Sequence, residues 1–170
     1  MSFIQNNISS IIQTQTVSGA ASVNFTNLNN SGFNNFSLVL TNIVESGNNS
    51  IFLRISTNGS TYIATGYTAG MVYTISGASA WINVTATTGF PVFVAGGAGA
   101  NGESTVNILN LTSGTNYVSC TGNSLLWLSP NFYNSFFNGI YNTVSTPCVA
   151  FQLIPSAGTV SGTFKLYGYL

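Results

Sequence analysis

The chain has 170 residues, only two basic and two acidic side chains, a formal net charge of zero and no histidine. This length suits one domain with a sizeable buried core, and the lack of a basic patch excludes phosphate-driven binding of nucleic acid. No apolar run approaches the roughly 18 residues that cross a bilayer, so we expect no membrane insertion. A protein this neutral is expected to work within an assembly or as an oligomer.

The first sixteen residues are polar with scattered apolar side chains, and they lack the basic start and long apolar run of a secretory signal peptide. The apolar positions are Phe3, Ile4, Ile8, Ile11 and Ile12. Their spacing fits a helical stripe, but Asn, Ser and Thr are poor helix formers. We therefore interpret residues 1–16 as an arm for attachment or oligomer contacts, with a frayed terminus as the alternative.

Residues 17–170 show the alternation and turn signals of a single β-domain. Strands are expected over residues 22–25, 36–41, 51–55, 62–67, 71–75, 81–85, 90–95, 105–111, 117–120, 124–128, 149–154 and 162–170. Turns or loops are expected at residues 46–49, 58–59, 96–102, 113–114 and 121–123. Many short strands at this spacing predict an all-β fold, a single jelly-roll-like antiparallel β-sandwich.

Two pairs of these strands are predicted to form hairpins. The first joins residues 36–41 to 51–55, and the second joins residues 149–154 to 162–170 and closes a sheet. In the last strand Phe164 and Leu166 share one face, which is the period-two signature of a half-buried strand. Lys165, Tyr167 and Tyr169 share the other face.

The residues that usually carry catalysis are almost absent. Acid–base chemistry uses a histidine or a tuned pair of carboxylates, and the only candidates, Glu45 and Glu103, lie in turn-rich segments and are interpreted as solvated. Cys120 and Cys148 have no histidine to activate them, and we interpret them as buried thiols, with a disulfide as the alternative. The sequence predicts no enzyme, no metal site and no cofactor.

Two features could make contacts with partners. Arg54 lies on the strand face opposite Ile51, Leu53 and Ile55; it faces solvent or a subunit, or it forms an interface ion pair with a neighbour's glutamate. The second feature is an aromatic run that contains Trp127, Phe132, Tyr133, Phe136, Phe137 and Tyr141. It suits core packing, a subunit interface or a sugar-stacking surface with Asn hydrogen bonds, and its spacing leaves all three open.

Four segments resemble a known module. They read VNFTNL at residues 23–28, FSLVL at 36–40, IFLRISTNG at 51–59 and GTVSGTFKLYG at 158–168. The chain thereby resembles a β-sandwich module of bacteriophage tail, tail-fibre and other virion surface proteins. That module has a strand like Leu-x-x-Arg-x-Ser-x-x-Gly and ends like Ser-Gly-Thr-hydrophobic-Arg/Lys-Leu-Tyr-Gly. The module's usual Asp-Gly turn is Asn58-Gly59 here, and an arginine often found near the last turn is represented by Gln152.

The resemblance implies a structural protein of the virion that carries no catalytic residues. On this basis we expect a homo-oligomer, specifically a trimer, that the arm holds to other virion proteins of the capsid or tail. It would act as a capsid decoration or a small fibre protein. The alternative is a carbohydrate-binding module that recognises a host surface glycan at a fibre tip.

Overall fold

A computed structural model describes residues 10–47, 50–75, 78–94, 99, 101–128, 130–143 and 146–170, with the backbone only at 78–87, 94 and 128. Within these residues the chain forms twelve β-strands and one 3-10 helix, Leu28–Asn30. The strands are β1 Ser10–Ala20, β2 Val23–Phe25, β3 Asn35–Glu45, β4 Ser50–Ser56, β5 Tyr67–Ile75, β6 Ala78–Thr87, β7 Phe90–Val94, β8 Asn101–Leu109, β9 Ser119–Leu128, β10 Asn131–Tyr141, β11 Ala150–Pro155 and β12 Val160–Tyr169.

The strands form two antiparallel sheets. The larger has the order β1-β12-β3-β8-β9-β10-β5-β6, and the smaller has the order β2-β11-β4-β7. One face of each sheet packs against the other, so alternate side chains of every central strand enter a shared core. The predicted all-β antiparallel sandwich is confirmed.

The core is built from the inward positions of both sheets. Phe164 and Leu166 of β12 are fully buried, as their alternation predicts. In the smaller sheet Phe25 stacks on Phe151 with ring centroids 4.8 Å apart. Burying an aromatic side chain of this kind contributes about 1.5–3 kcal/mol. Among the described residues, no helix has the length and apolar character needed to cross a membrane.

Both predicted hairpins are wrong. Strand β3 pairs with β12 and β8 in the larger sheet, whereas β4 pairs with β11 and β7 in the smaller one. Likewise β11 and β12 lie in different sheets. The connection from β3 to β4 and the connection from β11 to β12 therefore each cross from one sheet to the other. Alternation predicts which face of a strand is buried, but it is the same for strands that pair side by side and for strands that face each other across a core.

Some predicted boundaries also differ from the structure. Residues 62–66 are irregular, and the strand expected there begins at Tyr67. The turn expected at 121–123 is wrong because β9 runs straight through it. A Cβ on Gly122 would collide with the carbonyl oxygen of Thr105 and the ring of Phe137. This glycine therefore serves close packing within the sheet.

The N-terminal segment belongs partly to the sandwich. Residues 1–9, with Phe3, Ile4 and Ile8, lie outside the described residues. From Ser10 onward the chain is strand β1, paired with β12, so the domain begins before residue 17. Ile12 packs against the core, whereas Ile11 is 63% exposed on the outer face.

Two glutamine side chains connect the edge strands of the two sheets. Gln13 Nε2 donates to the carbonyl oxygen of Thr26 at 3.1 Å, and Gln15 Nε2 donates to that of Asn24 at 2.7 Å. Unpaired carbonyls on an edge strand invite pairing with other chains. These amides satisfy such carbonyls at β2 and close that side of the sandwich.

Candidate interaction surface

The outer surface of the larger sheet carries a cluster of exposed apolar side chains, which we call the aromatic face. It consists of Leu125, Trp127, Phe132 and Phe136, with Trp127 56% and Phe136 59% exposed. Large apolar side chains are normally withdrawn from water, and single exposed ones need no explanation. Four on adjacent strands indicate a surface that makes contacts.

The alternation of β9 and β10 produces this cluster. The outward positions of β9 include Leu125 and Trp127, and those of β10 include Phe132 and Phe136. In the antiparallel register Trp127 lies directly opposite Phe132. Directly opposite side chains have Cβ atoms about 4.5–5.5 Å apart, so the two aromatic residues form one continuous patch.

A shallow groove runs beside this pair. Its volume is about 220 Å³. It is lined by Asn101, Gly102, Glu103, Leu125, Leu126, Trp127 and Phe132. Glu103 lies opposite Leu125 in the register between β8 and β9, and its side chain is exposed. A carboxylate beside aromatic rings can attract a cation, and it can also accept hydrogen bonds from hydroxyl groups.

A second shallow hollow, of about 350 Å³, lies across β5 and β10. Its lining includes Gly70, Asn138 and Ile140. Because Gly70 has no side chain, the surface at the bottom of the hollow is formed by backbone. At its rim Asn142 Nδ2 donates to Thr68 Oγ1 at 2.8 Å. This hollow is polar at one side and holds no charged residue among those that line it.

Buried hydroxyl groups support the strands under the aromatic face. The Ser124 and Ser135 hydroxyls form a hydrogen bond of 2.5 Å between β9 and β10. Ser104 donates to the carbonyl oxygen of Val92 at 2.7 Å, which connects β8 to the facing sheet at β7. Satisfied polar groups in a core rigidify it. The strands that carry the aromatic face are therefore held firmly to each other and to the facing sheet.

The structure divides the predicted aromatic run between surface and core. Trp127, Phe132 and Phe136 lie on the aromatic face. Phe137 is 4% exposed and belongs to the core, and Tyr133 and Tyr141 pack partly buried against it. Core packing thus describes the aromatic residues on one side of β10. A subunit interface or a sugar-stacking surface remains the prediction for those on the other side. Leu125 was missed as a surface residue, although its spacing from Trp127 indicates the same face.

Arg54 does not join the aromatic face. It lies half-buried on β4, on the outer surface of the smaller sheet, and its Nε donates to the carbonyl oxygen of Thr88 at 2.7 Å. It pairs in register with Gln152, which donates to Asn24 Oδ1 at 2.9 Å. Arg54 and the aromatic face are therefore on opposite outer surfaces of the sandwich.

The two glutamates have different environments. Glu103 is exposed, in line with the expectation, but Glu45 is only 1% exposed, so its interpretation as a solvated carboxylate is wrong. The reason is a register shift in β3 between Leu40 and Ile43, with Asn42 at a φ of +54°. An extra residue reverses which side chains point inward. After the shift Glu45 faces the core and Val44 faces outward.

The cysteines are both free and buried, so the disulfide alternative does not apply. Burial raises the pKa of the Cys120 thiol well above its usual range and raises that of Cys148 to about 11. A thiol held protonated is a poor nucleophile. Within the described part of the chain, no three His, Cys, Asp or Glu residues come together as a metal site would need.

No protein-family model matches this chain, and no curated protein matches it significantly.

Proposed function

We propose that this protein is a surface-displayed structural component of a bacteriophage virion and that it acts as a homo-oligomer. The aromatic face carries the proposal. About half of each of its four side chains is exposed, and full areas of about 150–250 Å² per aromatic residue give roughly 400 Å² of apolar surface. The largest apolar patch on a monomer is about this size and often functional.

Charge supports association. The whole chain has four charged residues, and Glu45 is buried, so little charge remains at the surface. The charges outside the core are two cations and one glutamate, a net charge of +1. A surface with so little net charge repels a second copy only weakly, and such surfaces promote association.

The placement of the resembling segments also supports a virion module. The resembling segments at residues 23–28, 51–59 and 158–168 are far apart in the sequence. They contain β2, β4 and β12, each of which pairs with another strand of the sandwich. In the smaller sheet β2 and β4 flank β11, and in the larger sheet β12 pairs with β3. The resembling segments thus contribute the adjacent pair β3 and β12 to the larger sheet and the two strands on either side of β11 to the smaller one.

The proposal extends to location and attachment. The residues that precede β1 would hold the protein to the capsid or tail, as a capsid decoration or a small fibre or tail protein. The trimer that the resemblance implies remains a prediction. Particles assembled without the protein should lose stability or attachment to the host. An unaltered particle from which it is absent would contradict the proposal.

A matched pair of variants sharpens this test. Trp127→Ser removes the centre of the aromatic face, and Tyr117→Ser removes an aromatic residue that is 50% exposed in the loop before β9. We expect the first variant to reduce incorporation into particles or particle stability and the second to leave both unchanged. Equal effects of the two would argue against the aromatic face as the contact.

The groove beside Trp127 and Phe132 favours glycan binding as a second candidate function. Aromatic rings stack on sugars, and the Asn101 and Glu103 side chains line the same groove with hydrogen-bonding groups. A glycan array should then show binding that Trp127→Ala abolishes. Tyr133 is unsuited to this test because it packs against the core. Normal incorporation into particles without binding to any glycan would favour the structural role alone.

A further inference from the structure

We infer that the outer face of the larger sheet binds a second copy of this chain across a two-fold axis, with Lys165 of each copy against the partner's Glu103. This inference rests on the proposed homo-oligomer and names its contact. Two-fold contacts are self-complementary, so one face must carry both members of each interacting pair. The outer face of the larger sheet meets this requirement.

The charges of the chain leave few choices for an ion pair between copies. Of its two glutamates, Glu45 is in the core, and only Glu103 is exposed to a neighbour. Of its two cations, Arg54 lies on the opposite surface of the sandwich. Lys165 lies on the same outer face as Glu103, with Phe164 and Leu166 beside it pointing into the core. That face therefore carries one charge of each sign.

The sheet register gives their separation. Lys165 pairs with Val39 of β3, which pairs with Thr105 of β8, and Glu103 is two residues from Thr105 on the same side. Strands lie about 4.8 Å apart and two residues span about 7 Å, so the two Cα positions are roughly 12 Å apart along the face. A two-fold axis that runs parallel to the sheet just outside its outer face, above the midpoint between them and perpendicular to the line that joins them, places each ammonium group over the partner's carboxylate.

The same rotation covers apolar surface at both ends of the face. On a flat lattice of strand and residue spacings, Leu125 falls over the partner's Tyr167, and Phe132 falls one strand spacing beyond the partner's Ile11, at the edge of β1. Ile11 and Tyr167 are paired between β1 and β12, and Ile11 is 63% exposed. A single operation thus pairs the charges and brings apolar side chains of β9 and β10 towards those of β12 and β1.

The face is large enough for a stable contact. From β1 to β10 the face spans five strand spacings of about 4.8 Å and strands about 34 Å long, which gives roughly 800 Å². A standard stable interface needs about 800 Å² on each partner. A second copy in this position reaches from β1 to β10 and leaves β5 and β6 outside the contact, whereas a small ligand would fill only the groove beside Trp127.

Charge reversal tests the contact. Glu103→Lys or Lys165→Glu alone creates two like-charge contacts in each dimer, and at tenfold or more per contact the dissociation constant should rise about 100-fold. In an equimolar mixture of the two variants every contact is again between opposite charges. The mixture, with one variant labelled with ¹⁵N, should form mixed dimers in native mass spectrometry. The double variant with both changes should dimerise like the wild type.

Arg54→Glu is the matched control, since it changes the net charge equally on the opposite surface and should leave the dimer unchanged. Circular dichroism verifies that each variant is folded. Single variants that dimerise like the wild type, or a mixture without mixed dimers, would overturn the two-fold contact while leaving an oligomeric virion protein possible. A wild-type protein that is monomeric at every concentration would overturn the proposed homo-oligomer itself.

Discussion

The hydroxyl of Tyr67 connects the two sheets, and its removal should destabilise the fold measurably. Tyr67 is fully buried on β5 of the larger sheet. Its oxygen accepts a hydrogen bond from the backbone N–H of Ile55 on β4 at 3.0 Å and donates to the carbonyl oxygen of Ile63 at 3.0 Å. Tyr67→Phe leaves both of these backbone groups without this partner inside the core.

The expected magnitude follows from those two groups. A buried donor or acceptor left unsatisfied costs about 1–3 kcal/mol, and because the bond to the Ile63 carbonyl is only partly buried, the variant should lose about 2–4 kcal/mol in total. The ring keeps its contacts with Phe90 at 4.9 Å and Tyr141 at 5.2 Å between centroids, so no cavity term is added. For a chain of this size the loss corresponds to a Tm lower by about 5–15 °C.

Urea unfolding followed by tryptophan fluorescence, at one fixed protein concentration, measures this loss as a lower midpoint with an unchanged m-value. Tyr117→Phe is the control, because Tyr117 is half exposed and such a surface change should stay within about 0.5 kcal/mol. A Tyr67→Phe variant within that same range would refute the bridging role of the hydroxyl.

Two further predictions concern packing and pH. Gly122→Ala should lower the free energy of unfolding by about 1–3 kcal/mol, as overpacking does, because the new Cβ would lie 2.5 Å from Phe137 Cζ. The control is Thr121→Ala, at an exposed position on the same strand. Equal Tm values for the two variants would contradict the close-packing role of Gly122. Burial raises the pKa of Cys148 from 9.0 to about 11, so between these pH values the folded state binds more protons than the unfolded state. The free energy of unfolding should therefore fall as pH rises from about 9 to 11. In the Cys148→Ala variant the free energy of unfolding should fall less over this pH range. A pH profile identical to that of the wild type would contradict this prediction.

Period-two alternation predicted most strands but not their partners. It placed Phe164 and Leu166 in the core, because a strand with one buried face must alternate. It could not show that β4 lies in the other sheet from β3, since both arrangements bury the same residues. Pairing depends on contacts between distant segments, and a sequence read segment by segment does not contain that information.

Local irregularities decided the remaining differences. The register shift at Asn42 buried Glu45. Asparagine tolerates the positive φ found there, but asparagines are so frequent in this chain that this one does not stand out in the sequence. The aromatic run shows the opposite case. Alternation along β10 already separates Phe136 from Phe137, but the patch also needs the register that sets Phe132 opposite Trp127. That register depends on how β9 and β10 are connected, which the pattern of the run does not specify.

The native mass of the purified protein, from light scattering after size exclusion, tests the central claim most directly. The account predicts a dimer, or a hexamer if the trimer that the resemblance implies also forms, and this mass should halve when Trp127→Ser and Phe136→Ser are combined. A trimer unaffected by these changes would contradict the two-fold contact through the aromatic face. A wild-type monomer would contradict the homo-oligomer and make the groove beside Trp127 a candidate for glycan binding.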